Sequence, residues 1–339
     1  MKVLLTGGAG FIGSTIASRL TELDMVPVVL DNLVTGRESF ADGRHFYQGD
    51  MADGALIDRI FREHPDITAV VHCAALIRVP ESMTEPLRYY RVNVAATISL
   101  VEHLARVGCD RMVVASTAGM YLPGEDLSVD ERSPFDPQNP YTRSKMMVEL
   151  LLADCAAAYG LRVISLRYLN PIGADPKMRT GLQTSKPTHA LGKMIESYLA
   201  GRPFQVTGVD WPTRDGTAIR DYIHVWDVAC AFAQALQRFD QVLPPGTGGH
   251  EAINLGTGSG TTVRELVDAF AAVVGSGFEW QEAAARPGDV IGMYTTADKA
   301  TALLGWKPQY SIADGIRHSL EWVERSSARD GHVESARQA

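Results

Sequence analysis

A doubly wound α/β fold, in which helices cover both faces of a parallel sheet, is the class this sequence predicts, and three observations carry it. Short apolar runs recur at 3–5, 26–30, 69–73, 111–115 and 162–168. Stretches with apolar residues at helical spacing, 11–23, 55–63, 86–107 and 141–158, separate most of them. A glycine-rich turn, GGAGFIG, stands between the first run and the first helical stretch. Strand, tight turn and helix in repetition require right-handed crossovers and a sheet buried on both sides.

In chain order, the run at 3–5 is the first strand, Gly7 to Gly13 the turn, and 11–23 the first helix. The second strand, 26–30, ends at Asp31, and a short segment follows at 45–48. After Asn170 the rhythm breaks into Gly, Pro and charged residues (PIGADPKMRTGLQTSKPT), then resumes with helices near 189–200 and 226–239 and a strand at 251–255. Amphipathic helices at 262–274 and 312–324 close the pattern. The predicted organisation is a nucleotide-binding unit over 1–170 with a returning segment at about 218–258. A smaller α/β substrate unit is built from 171–217 and 259–325, and 326–339 is expected to be a loose polar tail.

The formal charge of −8 argues against a general nucleic-acid binder, because phosphate contacts need a basic surface. Any anionic ligand must then be held by a local cluster. The four cysteines, Cys73, Cys109, Cys155 and Cys230, form no CxxC and have no partnering His pattern, so no metal site is expected and a reducing cytoplasm fits. The apolar run after Lys2 ends at Gly7 and Gly8, too early for a signal peptide, and no run reaches the ~18 residues of a membrane span.

Glycines at 7, 10 and 13 permit a tight turn and close backbone approach, while the following helix offers free N–H groups and a positive dipole to a pyrophosphate. Asp31, eighteen residues after Gly13, suits the adenosine ribose and repels a 2′-phosphate, which favours NAD over NADP; Arg37 nearby weakens that preference slightly. Asp50 is placed either at the adenine edge or as the N-cap of the helix at 55. Cys73, Ala74, Ala75 and Leu76 end a strand with small residues, where a ligand approaches the carboxyl end of a sheet.

Tyr141 and Lys145, in NPYTRSKMMVE, are one helical turn apart. A phenol titrates near ~10 in water, and an ammonium on the same helix face stabilises its anion. Such a pair is also an ordinary exposed helix contact, so its meaning rests on the rest of the chain.

With GGAGFIG, HCAAL, Ser116 and Thr117 ending a strand, and Tyr141 with Lys145, the first 170 residues resemble the extended short-chain dehydrogenase/reductase family. The resemblance implies a Rossmann-type fold, Tyr141 as acid/base, Lys145 holding the cofactor ribose and lowering the phenol pKa, and Thr117 sharing the substrate proton. The cofactor residues it implies are Gly7, Gly10, Phe11, Ile12, Gly13, Asp31, Asn32, Asp50, Met51, Cys73, Ala74, Ala75, Asn93, Tyr141, Lys145 and Tyr168. RYLNPIGA, PTRDGTAIRDYIHVWDVA, INLGTG and RPGD extend the similarity to the UDP-glucose 4-epimerase branch, to about residue 325. That branch implies Asn170, Arg220 and Arg286 on a diphosphate, Asp289 on the uridine ribose and the region from His189 to Leu191 on uracil. Thr117 and Tyr141 would meet the sugar. Two arginines suit a diphosphate because guanidinium donates bidentate bonds and keeps its charge when desolvated. Arg220 has an alternative, a salt bridge with Asp215 or Asp221, and His224 reads as a structural core residue.

The implied reaction is inversion at C4 of a UDP-hexose through a transient 4-keto sugar, with NAD regenerated in each cycle. The chain departs from the branch at Ile77, where a lysine is usual, at Leu122, and at Met293 near the sugar gate. UDP-glucose stands first as substrate. Arg78, Lys177 and Arg179 leave UDP-glucuronate as an alternative, with a UDP-N-acetylhexosamine behind. A 4,6-dehydratase needs an Asp and a Glu after the active-site Thr, and Ala118 and Gly119 stand there. A nucleotide-sensing protein without catalysis would not need Tyr141, Lys145 and Thr117 together. The long apolar faces of 86–107 and 141–158, with Met146, Met147, Leu150 and Leu151, suggest a homodimer or else simply cover the sheet.

Overall fold

The computed structural model describes residues 1–184, 187–285 and 290–337, with side chains up to Ser326. Seven strands form one sheet whose order follows from two opposite crossovers. β1 (Lys2–Thr6) lies inside the sheet, with β2 (Val26–Asp31) and then β3 (His45–Gln48) on one side. On its other side come β4 (Ile67–His72), β5 (Arg111–Thr117), the strand Arg162–Tyr168 and finally the strand Gly249–Asn254. Every pairing is parallel. The chain therefore winds away from β1 in both directions, which opens a crevice at the carboxyl edge between β1 and β4.

Alternation along the strands divides the core. Val3, Leu5, Val71, Val113 and Ile164 face α1 (Phe11–Glu22) and the helix Val225–Gln237. Leu4, Val28, Val70, Met112 and Val163 face α2 (Gly54–Glu63) and the helices Ala96–Val107 and Pro140–Tyr159. Adjacent strand residues point to opposite faces, so a sheet buried on both sides needs the unbroken apolar runs seen in the sequence. Each fully buried Leu, Ile or Phe side chain contributes about 1.5–3 kcal/mol.

A third core gathers Ile172, Leu191, Met194, Phe204, Leu266, Phe270 and Ile316 beyond the carboxyl edge. Short strand pairs frame this part: Asn170–Ile172 with Tyr222–His224, and Phe204–Thr207 with Trp280–Ala283. The segment expected to belong wholly to this unit also returns to the sheet. Ala300, Leu304 and Trp306 pack in the first core, and Trp306 Nε1 donates to the Asp227 carbonyl at 2.8 Å.

Two stretches differ from the sequence expectation. The helix expected at 86–107 is interrupted by a π-turn at Tyr90–Ala95, a widening that redirects Asn93 within a helix of otherwise ordinary spacing. The final helix runs Ile312–Arg337 through most of the expected loose tail. Its added residues lack an apolar stripe but include Ala, Arg and Glu, whose intrinsic propensity continues a helix once started.

At the amino end of its strand, Arg162 is buried and donates to Asp110 and Asp240, each at 2.7 Å, and to the Leu243 carbonyl at 2.9 Å. This ties the sheet to the end of the helix Val225–Gln237, far from the crevice. Arg162→Met is expected to lower the unfolding free energy by about 1–3 kcal/mol in urea, since the two carboxylates are half exposed and can rehydrate. Turnover per folded molecule should be unchanged.

Candidate active site

The glycine turn is shaped by contacts that exclude side chains. Gly7 has φ of +70°, and a Cβ on it would lie 2.6 Å from the Ala74 nitrogen. A Cβ on Gly13 would lie 2.2 Å from the Gly7 oxygen. The turn is thus pressed between α1 and the chain leaving β4. Gly10 is the N-cap of α1 and supplies no side-chain cap, so the first-turn amides of Phe11, Ile12 and Gly13 face no capping oxygen. Backbone donors beside a space kept free of Cβ atoms fit a pyrophosphate.

Asp31 sits at the tip of β2. Its Oδ2 accepts the Ala9 N–H at 2.9 Å and its Oδ1 the Leu33 N–H at 2.8 Å. Burial pushes its pKa up and these two bonds oppose the rise. A carboxylate offers about four acceptor sites, so each oxygen keeps one for a ribose hydroxyl. Asp50 does not cap α2, because Asp53 does so by accepting the Leu56 N–H at 3.2 Å. Asp50 instead accepts from Asn32 Nδ2 at 3.3 Å and from the Ala52 N–H at 2.9 Å, at the exposed end of the crevice. Met51 is a core side chain packed with Leu30 and Ile57, so only its backbone is left for a cofactor.

The chain leaving β4 begins when the Cys73 N–H donates to the Thr6 carbonyl at 3.0 Å. Burial pushes the Cys73 thiol up to about 12 and keeps it protonated. Asn93, brought inward by the π-turn, accepts the Leu76 N–H at 2.8 Å and donates to the Leu76 carbonyl at 3.0 Å and to Ser144 Oγ at 2.9 Å. Its amide therefore staples the Cys73–Leu76 loop, with Ala74 and Ala75, to the helix that carries Tyr141.

That helix is set by a capping box in which Asn139 Oδ1 accepts the Thr142 N–H at 3.0 Å, with Pro140 at the first position. Tyr141, half-buried in its first turn, faces Thr117 at the end of β5, whose hydroxyl favours the phenolate. Thr117 Oγ1 also accepts the Gly119 N–H at 3.1 Å, holding the turn that follows. Tyr168 ends the neighbouring strand as the cross-strand partner of Thr117, and burial holds its phenol well above the usual value.

The electrostatics depart from the sequence expectation. Burial pushes Tyr141 up to about 12, opposed by the nearby Thr117 hydroxyl. Lys145 does not offset that rise, because its ammonium donates to the Ala115 carbonyl at 2.8 Å. Burial also lowers Lys145 to about 8, with Cys73 and Glu149 opposing. Spacing of four residues puts the two groups on one face without aiming one at the other.

On the far side of the crevice, Asn170 donates from its backbone and from Nδ2 to the Asp221 carbonyl, at 3.1 and 3.3 Å. Arg220 makes neither expected salt bridge: Asp221 accepts from Thr257 and Thr295, and Asp215 from Thr217 and Thr262. The guanidinium instead donates to the carbonyls of Ile219, Val290 and Ile291, at 2.6, 3.2 and 3.2 Å, gripping the chain that follows Arg286 and Asp289. Arg286 and Asp289 themselves lie outside the described residues. His189 is the N-cap of the helix Ala190–Leu199, its Nδ1 accepting the Gly192 N–H at 3.1 Å, and Leu191 is buried in the third core. The Leu191 side chain is thus unavailable to a base, and only its backbone remains.

Lys177 and Arg179 turn to Glu22 at 2.7 and 2.9 Å, and Arg179 also to Asp175 at 2.5 Å, which places them behind α1 rather than in the crevice. His224 is the structural residue expected, buried as the N-cap of Val225–Gln237 with Nε2 2.9 Å from His318 Nδ1. Gln183 was missed: its Nε2 donates to the Thr35 carbonyl at 3.1 Å and to Ala9 at 3.4 Å, joining both loops of the crevice. Nothing in its loop-like sequence surroundings marks it.

A Rossmann-type sheet with a glycine cradle, a carboxylate at the tip of β2 and a Thr–Tyr–Lys group at the carboxyl edge fits a dinucleotide-dependent enzyme of the extended short-chain dehydrogenase/reductase class. Residues 3–256 match the model of the NAD dependent epimerase/dehydratase family, and the chain belongs to that family. It is 41% identical to a UDP-glucose 4-epimerase of Azospirillum brasilense, over 96% of this chain and 92% of the relative. Among solved structures, a Stenotrophomonas maltophila UDP-glucose 4-epimerase with bound NAD and formylated UDP-arabinopyranose superposes with a TM-score of 0.91 at 34% identity, covering 97% of this chain and 99% of the other. A Brucella ovis UDP-glucose 4-epimerase in complex with NAD gives 0.88 at 36% identity, covering 94% and 97%.

Lys145 makes a pH-dependent contribution to stability. Its folded pKa, about 8, lies below the ordinary lysine value of 10.5, so between these values the unfolded chain binds more protons at this group and its contribution to stability rises with pH. In nucleotide-stripped protein, the unfolding free energy of the parent minus that of Lys145→Met, from urea titrations, should rise with pH between about 8 and 10.5.

Proposed function

We propose that the chain interconverts UDP-glucose and UDP-galactose as an NAD-dependent 4-epimerase. The observation that carries the reading is the placing of Tyr141 with Thr117 at the carboxyl edge beside the glycine cradle, with the buried Lys145 ammonium one helical turn on and held on the Ala115 carbonyl. Bound NAD supplies the hydride acceptor and later the donor at C4. Gly7, Gly10 and the first-turn amides of Phe11, Ile12 and Gly13 hold its pyrophosphate, Asp31 its adenosine ribose, and Lys145 the ribose nearer the reaction.

Tyr141 takes the C4 hydroxyl proton through Thr117 and returns it after the keto sugar has turned. Bringing its pKa from about 12 to near 7 requires about 7 kcal/mol of differential stabilisation. Lys145, held on the Ala115 carbonyl, does not lower the phenol in the free site, so a cation bound beside the phenol would have to supply most of this, at roughly 4 kcal/mol per unit charge ~4 Å away for an effective dielectric of ~20. The phenol therefore becomes a base only when the cofactor is in place. Asn170, Arg220 and Arg286 hold the diphosphate, Asp289 the uridine ribose and the start of the Ala190–Leu199 helix the uracil, leaving the hexose free to rotate.

UDP-glucuronate loses two of its three supporting cations, because Lys177 and Arg179 are engaged with Glu22 and Asp175. A homodimer through the helices Ala96–Val107 and Pro140–Tyr159 is supported by exposed Ile98, Met147 and Leu150, and light scattering after gel filtration tests it. No described helix is long and apolar enough to cross a membrane. Four unpaired cysteines fit a cytoplasmic setting.

Incubation with UDP-glucose, UDP-N-acetylglucosamine or UDP-glucuronate, without added NAD, should yield UDP-galactose by NMR from the first. No epimerisation of any of them, even with NAD supplied, would overturn the reading. Tyr141→Phe should lower kcat by ~10²- to 10⁴-fold while UDP and NAD remain bound.

A further inference from the structure

Helical spacing places Tyr141, Lys145 and Glu149 on one face of the helix Pro140–Tyr159, four residues apart each time. Below that face, Ser116 and Arg167 are cross-strand partners, one residue before the Thr117 and Tyr168 pair. Glu149 and Arg167 are both buried. Glu149 Oε1 accepts from Ser116 Oγ and, at 3.0 Å, from Arg167 Nε; Oε2 accepts from Arg167 Nε at 3.1 Å and from Nη2. The other arm of the guanidinium, Nη1, donates to the Tyr121 hydroxyl, and its carbon lies 5.1 Å from the ring centres of both Tyr121 and Phe135. Tyr121 passes a hydrogen bond to Asn254 Oδ1 at 3.0 Å on the last strand of the sheet.

The geometry points to Glu149 and Arg167 as positioning residues for proton transfer, which hold Thr117 in register with Tyr141 without touching substrate. The inference rests on the epimerase reading. The turn Ala118–Met120 that follows Thr117 is gripped at both ends, Ser116 by Glu149 and Tyr121 by Arg167. Glu149 belongs to the helix that carries Tyr141 and accepts from Ser116 next to Thr117, so the same carboxylate ties the carriers of both residues together. A buried ion pair is weak evidence for stability, because desolvation offsets much of its attraction, whereas a planar fork on a carboxylate fixes direction.

Glu149 also faces the lysine. The groups around the Lys145 ammonium are the Ala115 carbonyl, His72, Cys73 and Glu149. Burial holds His72 neutral, at about 3, and Cys73 protonated, leaving Glu149 as the acidic neighbour. Glu149 itself is faced by Arg167 and Ser116, with His250 Nε2 3.8 Å away.

The test compares parent holoprotein with Glu149→Gln and with the double variant Glu149→Gln, Arg167→Gln, measuring kcat and KM for UDP-glucose per bound cofactor across pH 6–10 (about the range that spans Lys145). Both variants should lose ~10-fold or more in kcat with KM little changed, as expected when reacting groups are displaced. The alkaline limb of kcat should move to lower pH as Lys145 loses its acidic neighbour. Removing both charges should restore Tm toward the parent value without restoring kcat. Recovery of kcat in step with Tm, or an unmoved alkaline limb, would overturn the positioning role. An inactive parent would instead overturn the epimerase reading, and this inference with it.

Discussion

The backbone of the first turn touches the backbone leaving β4, and the rest of the site depends on that contact. Gly7 lies against Ala74 so closely that no Cβ fits between them, and Gly13 lies against Gly7 in the same way. The contact sets the width of the crevice between β1 and β4. It aligns the uncapped start of α1 with one wall and the small residues Cys73, Ala74 and Ala75 with the other. Asn93 then carries the alignment outward by joining Leu76 to Ser144, so the glycine turn and the helix of Tyr141 share one frame.

Charge in this frame is arranged against its own ease. Burial raises Tyr141 and lowers Lys145, so neither group in the free site holds its reactive form cheaply. A site prepared this way resists idle ionisation, and under the proposed epimerase reading the phenolate would form only when a cation enters next to it. That reading couples substrate chemistry to cofactor occupancy through electrostatics.

The first 170 residues were legible because each strand is buried on both faces and each helix on one, so apolar runs and helical spacing mark them directly. Their ends carried the site: Gly7, Asp31, Thr117 and Tyr141 all stand where a strand or helix meets the carboxyl edge. Direction was not legible. Tyr141 and Lys145 share a face, yet the ammonium reaches the Ala115 carbonyl. Asp50 and Asp53 both precede α2, and only the fold shows which one reaches the Leu56 amide. Arg220 has acidic neighbours in sequence, but threonines had already engaged them. Strands of two to four residues in the second half have too little length for a period to register.

The seventh strand, Gly249–Asn254, is encoded about 80 residues after the one it pairs with, Arg162–Tyr168. During synthesis the nucleotide-binding half therefore emerges with Arg162–Tyr168 as a bare edge, its hydrogen-bonding groups open to any extended partner. Closing that edge requires the chain to leave the sheet, build much of the second unit and return, a long-range pairing of the kind that slows folding. The two halves are consequently one folding problem. A fragment cut at residue 170 would keep the glycine cradle but carry an unprotected strand bearing Arg167 and Tyr168, a template for aggregation rather than an independent module.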